Sequence, residues 1–228
     1  MSGKLFVVAT PIGNISDMTL RGVEVLKSVD LIASEDTRHT GVLLKHYDIA
    51  TPQLSYHDYN KERVTPRIVG QLLDGKDVAV VSDAGTPGIS DPGFYLIREC
   101  IRNGIEVIPI PGPSSLMAAI VISGLPTDRF CFEGFLPRSP GKMKKRLIEL
   151  KSDRRTLIFL ESARRINKTL VMILEVLGDR DAFVGRELTK KFEQSYRSRV
   201  SELIEIFKDK PPKGELVLVV AGKREDIG

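Results

Sequence analysis

Short strand-like runs at 5–9, 31–33, 54–56, 78–81 and 105–110 alternate with helical patterns at 19–29, within 35–47 behind a polar turn, and at 60–73, 94–102 and 114–123. This alternation restricts the fold more than any other feature of the chain. Strands that alternate with helices form βαβ units and a mostly parallel sheet. In such sheets ligands sit beyond the carboxyl ends of the strands. Attention therefore falls on the segments that follow the strands, at 10–14, 34–37, 83–92 and 111–115. All are rich in Gly, Pro, Ser, Thr or Asp.

Beyond Gly124-Leu125-Pro126 the rhythm changes. Strand-like runs at 130–133, 156–160, 182–184 and 216–221 and helical patterns at 163–177 and 201–207 surround a basic stretch at 136–155. The expected fold class is α/β, with two α/β domains at 1–123 and 124–228. Charge divides along the same line. Residues 1–123 hold 11 Lys/Arg and 14 Asp/Glu, whereas 124–228 hold 23 and 16. A basic half of this kind suits a polyanion such as nucleic acid, although a solvated basic surface accounts for it equally well.

With 42% hydrophobic and 28% charged residues, the composition is that of an ordinary globular protein rather than a disordered or disulfide-stapled one. Cys100 and Cys131 form no C-x-x-C pair, so no zinc cluster is expected and a reducing compartment is the natural setting. No apolar run approaches the roughly 20 residues of a membrane helix. The opening Met1-Ser2-Gly3-Lys4 enters a strand directly, without the regions of a secretory leader. A cytoplasmic protein without a membrane partner is expected.

The dinucleotide fingerprint G-x-G-x-x-G is absent after the first strand, where Thr10-Pro11-Ile12-Gly13-Asn14 stands instead. A P-loop look-alike ending in Gly75-Lys76 continues with Asp77 where Ser or Thr is needed, and it closes a helix rather than opening one. It reads as a C-terminal turn. The richest loop runs from Ser82-Asp83-Ala84-Gly85-Thr86 to Asp91-Pro92-Gly93. Its glycines and prolines set a backbone path suited to close ligand approach, and Asp83 stands ready either for a ligand hydroxyl or amine or for its own loop. Glu35-Asp36-Thr37-Arg38-His39-Thr40 offers acids, a histidine and hydroxyls for substrate orientation or proton transfer, or alternatively a helix cap and an ion pair. No His/Asp/Glu spacing makes a credible metal site. Between 138 and 155 lie eight basic and two acidic residues, with Phe132 and Phe135 just before them. Arg138, Lys142, Lys144, Lys145 and Arg146 are the candidate phosphate contacts. Ser139-Pro140-Gly141 reads as a mobile loop that orders on a polyanion.

Taken together, Thr-Pro-Ile-Gly-Asn, Glu-Asp-Thr-Arg-His-Thr, Ser-Asp-Ala-Gly-Thr-Pro-Gly, Pro-Gly-Pro-Ser-Ser, Phe-Glu-Gly-Phe-Leu-Pro and Gly-Arg-Glu-Leu-Thr-Lys resemble the small-subunit ribosomal RNA 2′-O-ribose methyltransferases. These belong to the tetrapyrrole methylase (class III) group of S-adenosylmethionine enzymes. The resemblance runs from about residue 4 to 222. It implies a two-domain enzyme with the cofactor in the cleft between the domains, a homodimer, and a cytidine ribose of the decoding region as methyl acceptor. Its implied cofactor contacts are Pro11, Asp83, Ala84, Gly85, Thr86, Ser114, Ser115, Leu160 and Leu188.

Methyl transfer from a sulfonium is an in-line displacement that asks mainly for alignment, and it requires neither a metal nor a nucleophilic cysteine. A ribose hydroxyl is a poor nucleophile, so a base helps. Glu161, Asp36, His39 and Lys190 are candidates. Glu161, beside the implied contact Leu160, is preferred, although a salt bridge to Arg164 or Arg165 explains it equally well. The rival readings are a methylase of a small tetrapyrrole precursor and a non-catalytic RNA-binding or ribosome-assembly protein.

Overall fold

A computed structural model describes residues 2–209 and 211–224. The chain divides into two compact units, Met1–Ser114 and Ser115–Gly228.

The first unit is built on β1 (Leu5–Val8), β2 (Leu31–Ser34), β3 (Gln53–Ser55), β4 (Val78–Val81) and β5 (Val107–Ile110), in the order β3-β2-β4-β1-β5. Every pairing is parallel. Helices α1 (Leu20–Ser28), α2 (Thr37–His46), α3 (Lys61–Leu73) and α4 (Phe94–Arg102) supply the crossovers. The two-residue period of a strand explains why the apolar runs are unbroken. Val78 and Val80 of β4 pack into one core with Ile68 and Leu72 of α3 and Leu96 of α4. Ala79 and Val81, between them, pack into another with Leu26 of α1 and Leu43 of α2. Both faces of the sheet are covered, so the strand edges carrying the loops are where a ligand can approach.

The second unit opens with α5 (Ser115–Ser123). It continues with β6 (Phe130–Phe135), α6 (Pro140–Leu150), β7 (Thr156–Ser162), α7 (Ile166–Leu177), β8 (Asp181–Arg186), β9 (Gln194–Arg199), α8 (Val200–Asp209) and β10 (Glu215–Val220). Its sheet is mixed, in the order β6-β7-β10-β8-β9. β6 and β7 are parallel, whereas β10 runs antiparallel to both β7 and β8. Leu157 and Phe159 of β7 and Leu216, Leu218 and Val220 of β10 face a core shared with α6, α7 and α8. α5 packs instead on β8 and β10. Burying an apolar helix there is why the compact unit begins at Ser115, whereas the composition shift suggests a division after Ser123.

Two local readings change. Pro140 stands at the first position of α6 behind Ser139, where its missing N–H costs nothing. The expected mobile loop at Ser139-Pro140-Gly141 is therefore the start of a helix. The strand β9, Gln-Ser-Tyr-Arg-Ser-Arg, is an exposed edge strand paired with β8. Its polar sequence gave no apolar run to signal it.

Candidate functional site

In the first unit, β4, β1 and β5 lie side by side, so the loops that follow them are neighbours. Thr10 and Gly85 exchange two main-chain hydrogen bonds, of 2.9 and 3.0 Å, as an isolated antiparallel bridge. The Thr10 hydroxyl also donates to the Ser82 carbonyl at 3.0 Å. Gly85 has a φ of +81°, and a Cβ built there would lie 3.9 Å from the Pro113 carbonyl. Pro11, the Asp83-Ala84-Gly85-Thr86 turn and the Pro113-Ser114 segment thus gather at one sheet edge.

The loop after β2 joins them through acids. Asp36 N–H donates to Asp83 Oδ1 at 3.1 Å, and Asp83 N–H donates to Glu35 Oε2 at 3.2 Å. Burial raises the Glu35 carboxyl, aided by the charges of Asp83 and Asp58 and opposed by the Asp83 N–H. Burial, followed by the charges of Glu35 and Asp83, pushes Asp91 up to about 6. This edge gathers Glu35, Asp36, Asp83 and Asp91 beside Arg38, and Glu35 and Asp91 take protons more readily than ordinary carboxyls. Asp91 was not singled out from the sequence. An acid in a Gly/Pro loop gives no sign of burial until the loop is folded.

Three of the candidate bases are already engaged. Asp36 forms a fork with Arg38, at 3.1 Å to Nε and 2.6 Å to Nη2, and that guanidinium holds its carboxyl well below the usual range. Lys190 pairs with Glu215 at 2.8 Å and with Glu187 at 3.3 Å. Glu161 is 3% exposed. Its Oε2 accepts the Thr169 hydroxyl at 2.5 Å, and its Oε1 accepts Ser162 N–H at 2.8 Å and faces Arg165 Nε at 3.4 Å. Strand period two sends Glu161 to the same face as Leu157 and Phe159, towards α7, and Leu160 to the opposite face. Adjacency in sequence therefore separates these two side chains, and of the two readings offered for Glu161 the ion pair with Arg165 is the one the structure contains. His39 lies exposed on α2.

In the second unit, β7 and β8 run in the same direction on either side of β10. Leu160, near the end of β7, and Leu188, just past the end of β8, are therefore at one sheet edge. Leu188 is buried against Gly185, between Glu187 and Thr189 at φ values of +50° and +65°. Ser115 opens α5 in this unit.

The basic segment forms the outer face of α6, whose Met143, Leu147 and Leu150 are buried. Lys144 pairs with Glu175 at 2.6 Å. Arg146 bridges Glu133 and Glu149, each at 2.7 Å. Arg138, Lys142 and Lys145 are exposed, and none of the three is in an ion pair among the described residues. The five candidate phosphate contacts therefore divide into two held by acids and three open to an anion.

Comparison with known proteins accords with this architecture. The family of Tetrapyrrole (Corrin/Porphyrin) Methylases matches residues 4–204. The chain is 50% identical to Ribosomal RNA small subunit methyltransferase I of Thermotoga maritima, over 97% of this chain and 99% of that one. It is 51% identical to the Synechocystis protein of the same name, over 96% of this chain and 79% of that one. Among solved structures, a uroporphyrin-III C-methyl transferase from Thermus thermophilus, complexed with S-adenosyl homocysteine, superimposes with a TM-score of 0.66 at 19% identity, covering 95% of this chain and 97% of that one. The match over most of the chain, the parallel sheet with its loop cluster and the near-full-length relatives lead to one conclusion: the chain belongs to the tetrapyrrole (corrin/porphyrin) methylase family, in its ribosomal RNA small subunit methyltransferase I branch.

Proposed function

We propose that this protein transfers a methyl group from S-adenosylmethionine to the 2′-hydroxyl of a cytidine ribose in small-subunit ribosomal RNA. The observation that carries the reading is the 50–51% identity, over nearly the whole of this chain, to relatives named for ribosomal RNA methylation. S-adenosylmethionine supplies an activated methyl group on a cationic sulfonium. The donor set of the first unit suits it, because Glu35, Asp83 and Asp91 concentrate negative charge beside main-chain groups. In the first unit the residues that would hold the cofactor are Pro11, Asp83, Ala84, Gly85, Thr86 and Ser114, and the candidates within the second unit are Ser115, Leu160 and Leu188. Their work is alignment, which can contribute about 7–11 kcal/mol to such a displacement. Glu35 and Asp91, raised by burial, are better suited than Glu161 to accept the hydroxyl proton.

RNA docking falls to the outer face of α6. The working assembly is a homodimer in the cytoplasm. Supporting a second copy, α5 is apolar around its whole circumference and leaves Met117 and Val121 exposed. Among the described residues no helix is long and apolar enough to cross a membrane.

The test is methyl transfer from labelled S-adenosylmethionine to small ribosomal subunits, with the modified nucleotide mapped. Label on one cytidine ribose is expected. Label on a base, or on a small tetrapyrrole but not on subunits, overturns the reading. Sedimentation should give about twice 25.3 kDa, and a clean monomer at micromolar concentration overturns the dimer.

A further inference from the structure

The second unit contains a cavity of about 660 Å³ lined by none of the candidate residues named above. It lies where the end of α6, the turn between α7 and β8, and the chain leaving β10 meet. Its basic lining is Lys151, Arg180, Arg199, Lys223 and Arg224, against two carboxylates, Asp179 and Asp181.

Both carboxylates are already committed. Asp179 takes Arg199 at 2.8 Å as well as the Ser201 N–H and hydroxyl, each at 3.0 Å, and Asp181 takes Arg224 at 2.6 Å. Asp153, close by, is held by Arg155 through both oxygens. Arg180 donates to three carbonyls instead of an acid: Leu177 at 3.1 Å, Ala221 at 3.1 Å and Lys151 at 2.7 Å. Burial lowers its affinity for a proton, opposed by the charge of Asp153. Lys151 and Lys223 are exposed and form no ion pair among the described residues. Among the described residues, the cavity is therefore left with three positive charges that its carboxylates do not take up.

The site is also built rather than incidental. The Arg180 fork ties together the ends of α6, α7 and β10, the segments that form the wall. Gly222 completes that wall where a Cβ would lie 2.1 Å from the Arg154 carbonyl oxygen, so the chain passes there only without a side chain. Lys145, open to an anion, precedes the lining residue Ile148 by one turn of α6. Glu149, the acid on the same stretch, is taken up by Arg146 at 2.7 Å, so Lys145 on the helix and Lys151 at its end stand as two separate open cations. Lys145 and Lys151 are about 9 Å apart along the helix axis, at 1.5 Å per residue.

We infer that this cavity is a second phosphate-binding site, which holds a phosphodiester of the RNA substrate and extends the track that begins on α6. The inference rests on the reading of RNA as substrate. A single-stranded backbone supplies successive phosphates along such a track, and each one neutralised releases counterions. The site positions the RNA and carries no base information.

The experiment uses the full chain with Lys151→Ala and Lys223→Ala combined, and a Lys151→Arg/Lys223→Arg control. Binding of a small-subunit ribosomal RNA fragment is titrated against salt. The Ala pair should lower the log–log slope by about 1.4, at roughly 0.7 per single-strand contact. It should raise KM for subunits while kcat and S-adenosylmethionine affinity hold, and the Arg pair should restore the slope. Wild-type slope and KM in the Ala pair overturn the inference. So does inorganic phosphate shifting the NMR signals around Lys151 while RNA binding ignores the substitutions, which would make this a site for free anions. The slope is read on RNA binding alone. A wild-type enzyme that binds RNA through these lysines but methylates no ribose would overturn the proposed reaction and leave this site standing.

Discussion

Thr10 and Gly85 lie 75 residues apart in sequence, yet their main-chain groups bond to each other in both directions, at 2.9 and 3.0 Å. The bridge joins the loop after β1 to the loop after β4, and β1 and β4 are hydrogen-bonded neighbours in the sheet. Two loops with no regular structure of their own are thereby held as one surface. Gly85 meets this geometry at φ +81°, a region that costs an L-residue roughly 1–2 kcal/mol.

Substituting Gly85→Ala should therefore destabilise the protein by about 1–2 kcal/mol and weaken S-adenosylmethionine binding by more than the stability loss explains. Thermal unfolding and calorimetry on the same variant separate the two effects. An unchanged affinity would remove this turn from the cofactor site.

Glu161 should behave as a structural residue. Glu161→Gln removes the charge facing Arg165 and one of the two acceptor oxygens shared by Thr169, Ser162 and Arg165, at a cost of about 1–3 kcal/mol. Because Arg165 Nη2 also donates to the Leu136 carbonyl at 2.8 Å, the chain entering α6 should loosen as well. Single-turnover rates on subunits should stay within a few-fold of wild type. A folded variant with no turnover would restore Glu161 as the base.

On α6 the two kinds of lysine and arginine should separate experimentally. Lys142→Ala with Lys145→Ala should flatten the salt dependence of RNA binding by about 1.4 log–log units and leave stability unchanged. Arg146→Ala should act on stability instead, because Glu133, its partner, has a side chain only 6% exposed. Equal loss of RNA affinity from both variants would contradict this division.

Asp91 gives a pH dependence of definite sign. Its folded value, about 6, lies above the ordinary aspartate value of 3.8, so between these values the folded chain holds a proton that the unfolded chain has released. Stability from this group is complete below the unfolded value and is lost as pH rises through the folded one. Asp91→Asn should match wild type near pH 4 and exceed it in denaturant midpoint above about pH 6. A constant difference from pH 4 to 7 would show that the carboxyl is not held protonated.

Periodicity alone determined much of this protein. Apolar runs bounded by Gly, Pro and Asp give strands, their alternation with helices gives a parallel sheet, and the sheet puts the loops containing Pro11, Asp83 and Ser114 at one edge. Those inferences are local, since strand period and turn chemistry are properties of a few consecutive residues. The polar edge strand β9 had no such signal, because its pattern becomes a strand only when β8 offers a partner. The tertiary structure alone decided which charges are free. Glu161 sits beside Leu160 in sequence but points to the opposite face of the sheet, where Thr169 and Arg165 occupy it. Lys144 and Lys145 are neighbours on one helix, yet Glu175 reaches only the first. Asp91 acquires its shifted proton affinity from burial and from Glu35, which is 56 positions away. Electrostatics depends on distance through space and on exclusion of water, and neither is fixed until distant segments of the chain have packed together.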